Sequence, residues 1–220
     1  MSGYRHLIWD WNGTLLDDAW LCHQIINGLL RQRGLSAVTE ERYQRIFGFP
    51  LEGYCRLLGF DLEREPYQVV SDAFNVEYEA RRLECGLRQG TRGVLEAVRG
   101  RGVSQSVLSA YAQEALEEIV AHFGLRPFFG AVVGVDNGYG LGKVAAGLRR
   151  VAELGCAPGQ VLLVGDTLHD LEVARAMGVD CALIPSGHQG RDRLAAGGAR
   201  VVDAPADLLL LLDGPAASSQ

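Results

Sequence analysis

An apolar run, Leu7-Ile8-Trp9, stops at Asp10 and turns polar through Trp11-Asn12-Gly13-Thr14. A short apolar run ending in a glycine-containing turn predicts a buried strand, about Arg5 to Trp9, with its C-terminal end at a loop. From Asp18 to about Leu83 the period changes. Ala19, Trp20, Ile25, Ile26, Leu29 and Leu30 recur at helical spacing and predict a helix ending near Gly34. Thr39, with Glu40 and Glu41 behind it, predicts the start of a second helix carrying Tyr43 and Ile46, broken by Phe47-Gly48-Phe49-Pro50. Leu51, Tyr54, Leu57 and Leu58 predict a third, up to Gly59. A fourth runs from Glu65 or Pro66 to about Leu83, with Val69, Val70, Ala73, Phe74 and Tyr78 on its face. This long helical stretch carries no strand signal and predicts an all-helical insertion.

From Gly90 the pattern alternates. Helices are expected over Arg92–Arg99, Gln113–His122, Lys143–Leu154, Leu171–Met177, Arg191–Ala196 and Ala206–Leu212. Strands are expected over Gln105–Ser109, Ala131–Gly134, Gln160–Val164, Cys181–Ile184 and Ala199–Val202. Strands alternating with helices predict a mostly parallel, doubly wound α/β sheet. The tail from Gly214 to Gln220 is small and polar and is expected to fray.

Composition narrows the function. The chain has 220 residues, 48% hydrophobic and 22% charged, room for one domain plus a sizeable insertion. Its formal net charge of -6 argues against binding nucleic acid through a basic surface. No apolar run reaches membrane-spanning length, and Arg5, His6 and Asp10 exclude a signal peptide at the N-terminus. Cys22, Cys55, Cys85, Cys156 and Cys181 are dispersed and form no CxxC, which fits free thiols in a cytoplasmic protein. Lys143 is the only lysine.

Polar residues cluster just past four predicted strands: Asp10 and Asn12; Ser109; Lys143 after the Gly140-Leu141-Gly142 turn; and Asp166, Thr167 and Asp170. In a parallel sheet these ends share one rim, where ligands bind. Asp10 is placed as a nucleophile or metal ligand, and Thr14 offers a hydroxyl to an anion. Asp10, Asp166 and Asp170 make a hard, oxygen-rich site that suits Mg2+ together with phosphate oxygens. Ser109 can donate to a phosphoryl oxygen, and Lys143 can neutralise phosphate charge and restrain Asp10. Taken singly, Ser109 also reads as a helix N-cap and Lys143 as a surface lysine.

Asp10-Trp11-Asn12-Gly13-Thr14-Leu15, then Ser109, Lys143 and Gly165-Asp166-Thr167-Leu168-His169-Asp170 resemble, in order and spacing, the four motifs of the haloacid dehalogenase-like (HAD) superfamily, specifically its phosphoglycolate-phosphatase-like hydrolases. The resemblance runs from Leu7 to about Leu212. It implies a Rossmann-like core over 1–15 and 89–220 and a helical C1 cap over 16–88. Phe47-Gly48-Phe49-Pro50-Leu51 resembles the cap loop that faces the site, and Ser186-Gly187-His188 the small loop after the fifth strand. The implied reaction is Mg2+-dependent hydrolysis of a small phosphorylated metabolite. Asp10 attacks phosphorus, and water hydrolyses the aspartyl-phosphate. Mg2+ is held by Asp10, Asp166 and the carbonyl of Asn12, with Asp170 acting through water. Thr14, Gly48, Ser109, Ala110 and Lys143 are the implied substrate contacts, and Asp10, Asn12, Ser109 and Lys143 the catalytic positions.

Asn12 departs from the pattern. Phosphatases of this family carry a second aspartate there, a general acid and later base, and an amide can be neither. Loss of that help costs roughly 100- to 10,000-fold in rate. Four readings stay open: an easy leaving group such as an acyl phosphate; a substitute among Asp17, Asp18, His169 and His188; a phosphate-binding or regulatory module; or a substitution introduced at residue 12. A phosphonoacetaldehyde hydrolase is excluded, because that chemistry needs a cap lysine and this insertion has none. Arg45 and Arg56 could meet a substrate carboxylate or sit on solvated helix faces, and Tyr111 could line the entrance.

Overall fold

The computed structural model describes residues 3–135, 142–185 and 187–213. Gly140, Leu141, Ser186 and the tail from Gly214, all named above, lie outside the described residues.

The main sheet has six parallel strands: β1 (His6–Trp9), β4 (Ser104–Ala112), β5 (Ala131–Val135), β6 (Val161–Gly165), β7 (Asp180–Leu183) and β8 (Arg200–Val201). Their spatial order is β5-β4-β1-β6-β7-β8. This is the doubly wound order, reversing at β1, so the crevice beyond the ends of β1 and β6 is the expected ligand position. β1 pairs with β4 on one side (Trp9 beside Val107) and β6 on the other (Trp9 beside Val164). All four of its residues are buried. That is why β1 reads as a continuous apolar run: a parallel strand covered on both faces has no solvent side on which to alternate.

Helices α1 (Ala19–Gln32), α2 (Glu40–Ile46), α3 (Leu51–Leu58) and α4 (Tyr67–Arg81) follow β1. α1 buries Leu21, Ile25, Leu29 and Leu30 along one stripe, and Trp20 in its first turn stays exposed. Thr39 caps α2 by accepting from the Arg42 amide, worth about 1 kcal/mol. α3 ends on Gly59 at φ 98°, a left-handed position that favours glycine. The remaining helices are α5 (Thr91–Gly100), α6 (Gln113–His122), α7 (Lys143–Glu153), α8 (Leu168–Met177), α9 (Arg191–Ala196) and α10 (Leu208–Leu212).

Two expectations are corrected. The helical stretch is framed by a two-stranded antiparallel ribbon, β2 (Leu16–Asp17) with β3 (Gly86–Leu87), where no strand was expected. Two residues per strand carry no detectable period, and the pairing is set by contacts about seventy residues apart. α8 starts one turn earlier than its apolar pattern suggests, because the Asp170 carboxylate accepts from the Thr167 amide and hydroxyl and so ties down its first turn.

Candidate active site

The site begins where β1 ends. Gly13 adopts φ +73°, and a Cβ there would lie 2.3 Å from Asp166 Oδ2, so conformation and crowding both require glycine. Crowding alone constrains Gly187, where an added Cβ would lie 2.0 Å from the same oxygen. These two glycines let the β1 loop and the loop after β7 close around Asp166. The His188 amide donates to Asp166 Oδ2 at 2.6 Å.

Lys143, the first residue of α7, is 3% exposed. Its Nζ donates to Asp10 Oδ1 at 2.5 Å and to Asp170 Oδ1 at 2.6 Å. Thr14 Oγ1 lies 3.2 Å from Asp10 Oδ2 and 3.3 Å from Asp166 Oδ1, so its hydroxyl serves the carboxylates from a buried position. Asp170 Oδ2 accepts from the Thr167 hydroxyl (2.8 Å), the Thr167 amide (3.1 Å) and the Asp166 amide (3.3 Å). Asp10, Asp166 and Asp170 bring an oxygen each to within 4.8 Å of one another.

Three buried carboxylates thus face one ammonium. Burial, opposed by Lys143 and reinforced by Asp170, raises the Asp10 pKa to about 7. Burial, with Asp10 and Asp170 beside it, pushes Asp166 well up. Burial would raise Asp170 too, yet Lys143 and Thr167 hold it below the usual carboxylate range. Lys143 is raised despite burial, because its two carboxylates favour the charged form. The carboxylates are short of positive charge, and the all-oxygen donor set fits a hard divalent cation.

Ser109 sits within β4, not at a helix start, and its Oγ accepts from the Tyr111 amide at 3.1 Å. Ser109, Ala110, Lys143, Asp10, Asn12, Asp166 and Asp170 all border one cavity of about 200 Å³. Gly48 is outside that wall: it lies against the Arg193 guanidinium, while Phe47 and Phe49 on either side reach the cavity. The loop is held from the sheet side, where Gln189 Nε2 and Arg193 both donate to the Phe47 carbonyl.

Asn12 belongs to a second cluster. Its Nδ2 donates to Asp18 Oδ2 and lies 2.7 Å from the Tyr78 hydroxyl, which also donates to Asp18 Oδ2. Asp18 Oδ1 accepts from the Gly13 amide at 2.7 Å. Asp18 is fully buried, whereas Asp17 points outward toward Arg88 at 3.7 Å. His188 is buried between Asp18 (3.7 Å) and the Tyr43 hydroxyl (2.7 Å), and burial lowers its pKa. His169 stacks on Phe49 with ring centres 4.4 Å apart, and its Nε2 has no hydrogen-bond partner. Arg45 and Arg56 are 67% and 55% exposed, pair with Glu41 and Glu52, and lie away from the cavity. The aromatic wall, Tyr43, Tyr54, Phe74 and Tyr78 among it, was not foreseen. Its only sequence signal was the aromatic content of α2 to α4.

The family model for haloacid dehalogenase-like hydrolases matches residues 7–184. The chain belongs to this family. Among haloacid dehalogenase-like relatives, the 5'-nucleotidase of Pseudomonas aeruginosa is 28% identical over 200 residues, 88% of each chain. The phosphoglycolate phosphatase of Synechococcus elongatus is 26% identical over 207 residues, 92% of this chain and 94% of that one. The tyrosine-protein kinase PtkA of Mycobacterium tuberculosis is 27% identical over 188 residues; these are 84% of this chain but only 64% of the length of PtkA. The fold of this haloacid dehalogenase-like chain matches that of a family member from Streptococcus pneumoniae (TM-score 0.80, 18% identity, 96% and 99% coverage). It also matches a solved structure of PtkA (TM-score 0.79, 24% identity, 97% and 100% coverage). No described helix is long and apolar enough to cross a membrane.

Proposed function

We propose that the chain is a phosphoric monoester hydrolase acting on a small phosphorylated metabolite. The observation that carries this reading is Lys143 Nζ bridging Asp10 and Asp170 beside Asp166, at the ends of β1 and β6. Asp10 is the nucleophile, held in place by Lys143 and Thr14. Its carboxylate attacks phosphorus in line, and water then hydrolyses the aspartyl-phosphate. Ser109 and Lys143 bind phosphoryl oxygens, so positioning and charge neutralisation supply most of the rate. Mg2+, held by Asp10, Asp166 and the main-chain carbonyl of Asn12 with Asp170 behind, would neutralise phosphoryl charge. Residues 16–88 serve as the cap, excluding water and choosing the substrate. The printed functions of the two phosphatase relatives support the class of reaction. Free cysteines and negative charge support a cytoplasmic setting without nucleic acid.

Asn12 favours a second reading, a phosphate-binding or regulatory protein of the same fold. Phosphate release from a panel of phosphomonoesters and acyl phosphates, with Mg2+ and beside an Asp10→Asn control, separates the two. Turnover abolished by Asp10→Asn supports the hydrolase. Tight, Mg2+-dependent binding of a phosphate analogue with no release from any member of the panel overturns it.

A further inference from the structure

The cavity beyond the phosphate site has an unusual wall for a chain that handles anions. Its lining includes Phe47, Phe49, Tyr54, Phe74, Tyr78 and Tyr111, and Lys143 is the only lysine or arginine among the described residues that border the cavity. Beside the aromatic carbon stand neutral donors, Ser71, Asn75 and the Tyr54 hydroxyl among them, so a leaving group bearing a carboxylate or second phosphate would be buried there with no counter-charge from a lysine or arginine, which is costly. An apolar ring meets no such penalty. An apolar cavity of about 150 Å³ holds a benzene molecule. The space here, about 200 Å³ including the phosphate end, suits one ring and is small for a nucleoside.

The amide at residue 12 supplies an independent constraint. Both hydrogens of Asn12 Nδ2 are directed inward, one to Asp18 Oδ2 and one to the Tyr78 oxygen, each at 2.7 Å. The Tyr78 proton goes to the same Asp18 oxygen. This closed triangle leaves Asn12 only its carbonyl oxygen, an acceptor, and Tyr78 no proton to give. Asp18 is fully buried, and His188 is held by its Nδ1 at the Tyr43 hydroxyl with Nε2 turned toward Asp18 at 3.7 Å. The leaving oxygen therefore departs without a proton from residue 12. An alkoxide, whose conjugate acid is about as weak as water, leaves poorly in that way. A phenoxide, near pKa ~10 like tyrosine, leaves readily.

We propose, on the footing of the phosphatase reading above, that the substrate is an aryl phosphate: a phosphomonoester whose single aromatic ring carries the ester oxygen and fills the aromatic cavity. The Asp10 carboxylate oxygen bonds to phosphorus as the P–O(aryl) bond breaks. The electron pair leaves on the aryl oxygen, which takes its proton from solvent. Water then attacks the phosphorus of the aspartyl-phosphate, releasing inorganic phosphate and restoring the Asp10 carboxylate.

Four substrates separate ring from leaving group: phenyl phosphate (ring, acidic alcohol), benzyl phosphate (ring, alkyl alcohol), acetyl phosphate (no ring, acidic acid) and 2-phosphoglycolate (neither, with a carboxylate). Steady-state kinetics on the intact protein with Mg2+ should give phenyl phosphate a kcat/KM, which reports the step that expels the leaving group, about 100- to 10,000-fold above benzyl phosphate. Its KM should lie about 10- to 100-fold below that of acetyl phosphate, the effect of burying one ring. In Asn12→Asp/Asp18→Asn, which moves the carboxyl to residue 12, benzyl phosphate should gain on phenyl phosphate by about tenfold or more. Values of kcat/KM for benzyl and phenyl phosphate within about tenfold of each other would show that a general acid, His169 Nε2 foremost, operates, and would overturn the proposal. A KM for acetyl phosphate or 2-phosphoglycolate at or below that of phenyl phosphate would overturn it through the cavity instead. In both cases the hydrolase stands. Release from none of the four, nor from the wider panel, removes the hydrolase and this substrate class together.

Discussion

Restoring the family's second aspartate should destabilise this protein. Asn12 Nδ2 lies 2.7 Å from Asp18 Oδ2, and Asp18 is fully buried, so Asn12→Asp sets two carboxylates at hydrogen-bond distance. Two unit charges about 2.7 Å apart at an effective dielectric of ~20 repel by about 6 kcal/mol. Uptake of one proton by the pair caps this. With an unfolded carboxyl pKa of ~3.9, that proton costs about 1.5 kcal/mol at pH ~5 and about 5.6 kcal/mol at pH ~8. The sign follows from linkage: the folded pKa of the pair is raised, so folding binds the extra proton and stability falls as pH rises above ~4. Asn12→Asp should therefore lose little at pH ~5 and about 5 kcal/mol at pH ~8, a large share of a typical domain's stability. Asp18→Asn on the same background should recover most of it, giving a coupling of at least about 3 kcal/mol in a four-protein urea-unfolding cycle with EDTA present. A loss that does not change between the two pH values, or additive single changes, would refute the Asn12–Asp18 contact as the controlling one.

Two further outcomes follow from buried groups. Lys143→Met strands Asp10 and Asp170 and should cost about 3–5 kcal/mol in EDTA, but clearly less in Mg2+, since a divalent ion supplies the missing charge; equal losses by thermal unfolding in both buffers would contradict the cation site. His6, 1% exposed between the Ser104 and Ser106 hydroxyls, has its pKa lowered to about 4 by burial and by Arg150. The unfolded chain then binds a proton that the fold refuses, so stability present above pH ~6.5 declines by about 2 kcal/mol on going to pH ~5. His6→Gln should lack that share of the decline, and parallel slopes for the two proteins in urea unfolding would sink the assignment.

Much of this was legible in the chain because the central strands are covered on both faces. β1 and β6 show as unbroken apolar runs that end at Asp10 and Asp166, so strand positions and rim chemistry were within reach of pattern alone. The Asp17–Asp18 pair was not. In sequence the two are equivalent, and only the β2–β3 pairing turns Asp17 to solvent and Asp18 to the interior. The aromatic cavity was hidden for a related reason. Tyr43, Tyr54 and Phe74 lie on three helices whose relative rotation is set by packing, and periodicity reports a face without saying what it meets.

The lone lysine has a consequence for how this protein can be watched. With Lys143 buried at 3% exposure, the folded chain offers amine-directed reagents no exposed lysine. The one hidden amine sits between Asp10 and Asp170. An adduct on Lys143 in a mass spectrum is therefore a clock on the opening of the site itself. The native chain carries its own single-address probe, with no label to engineer.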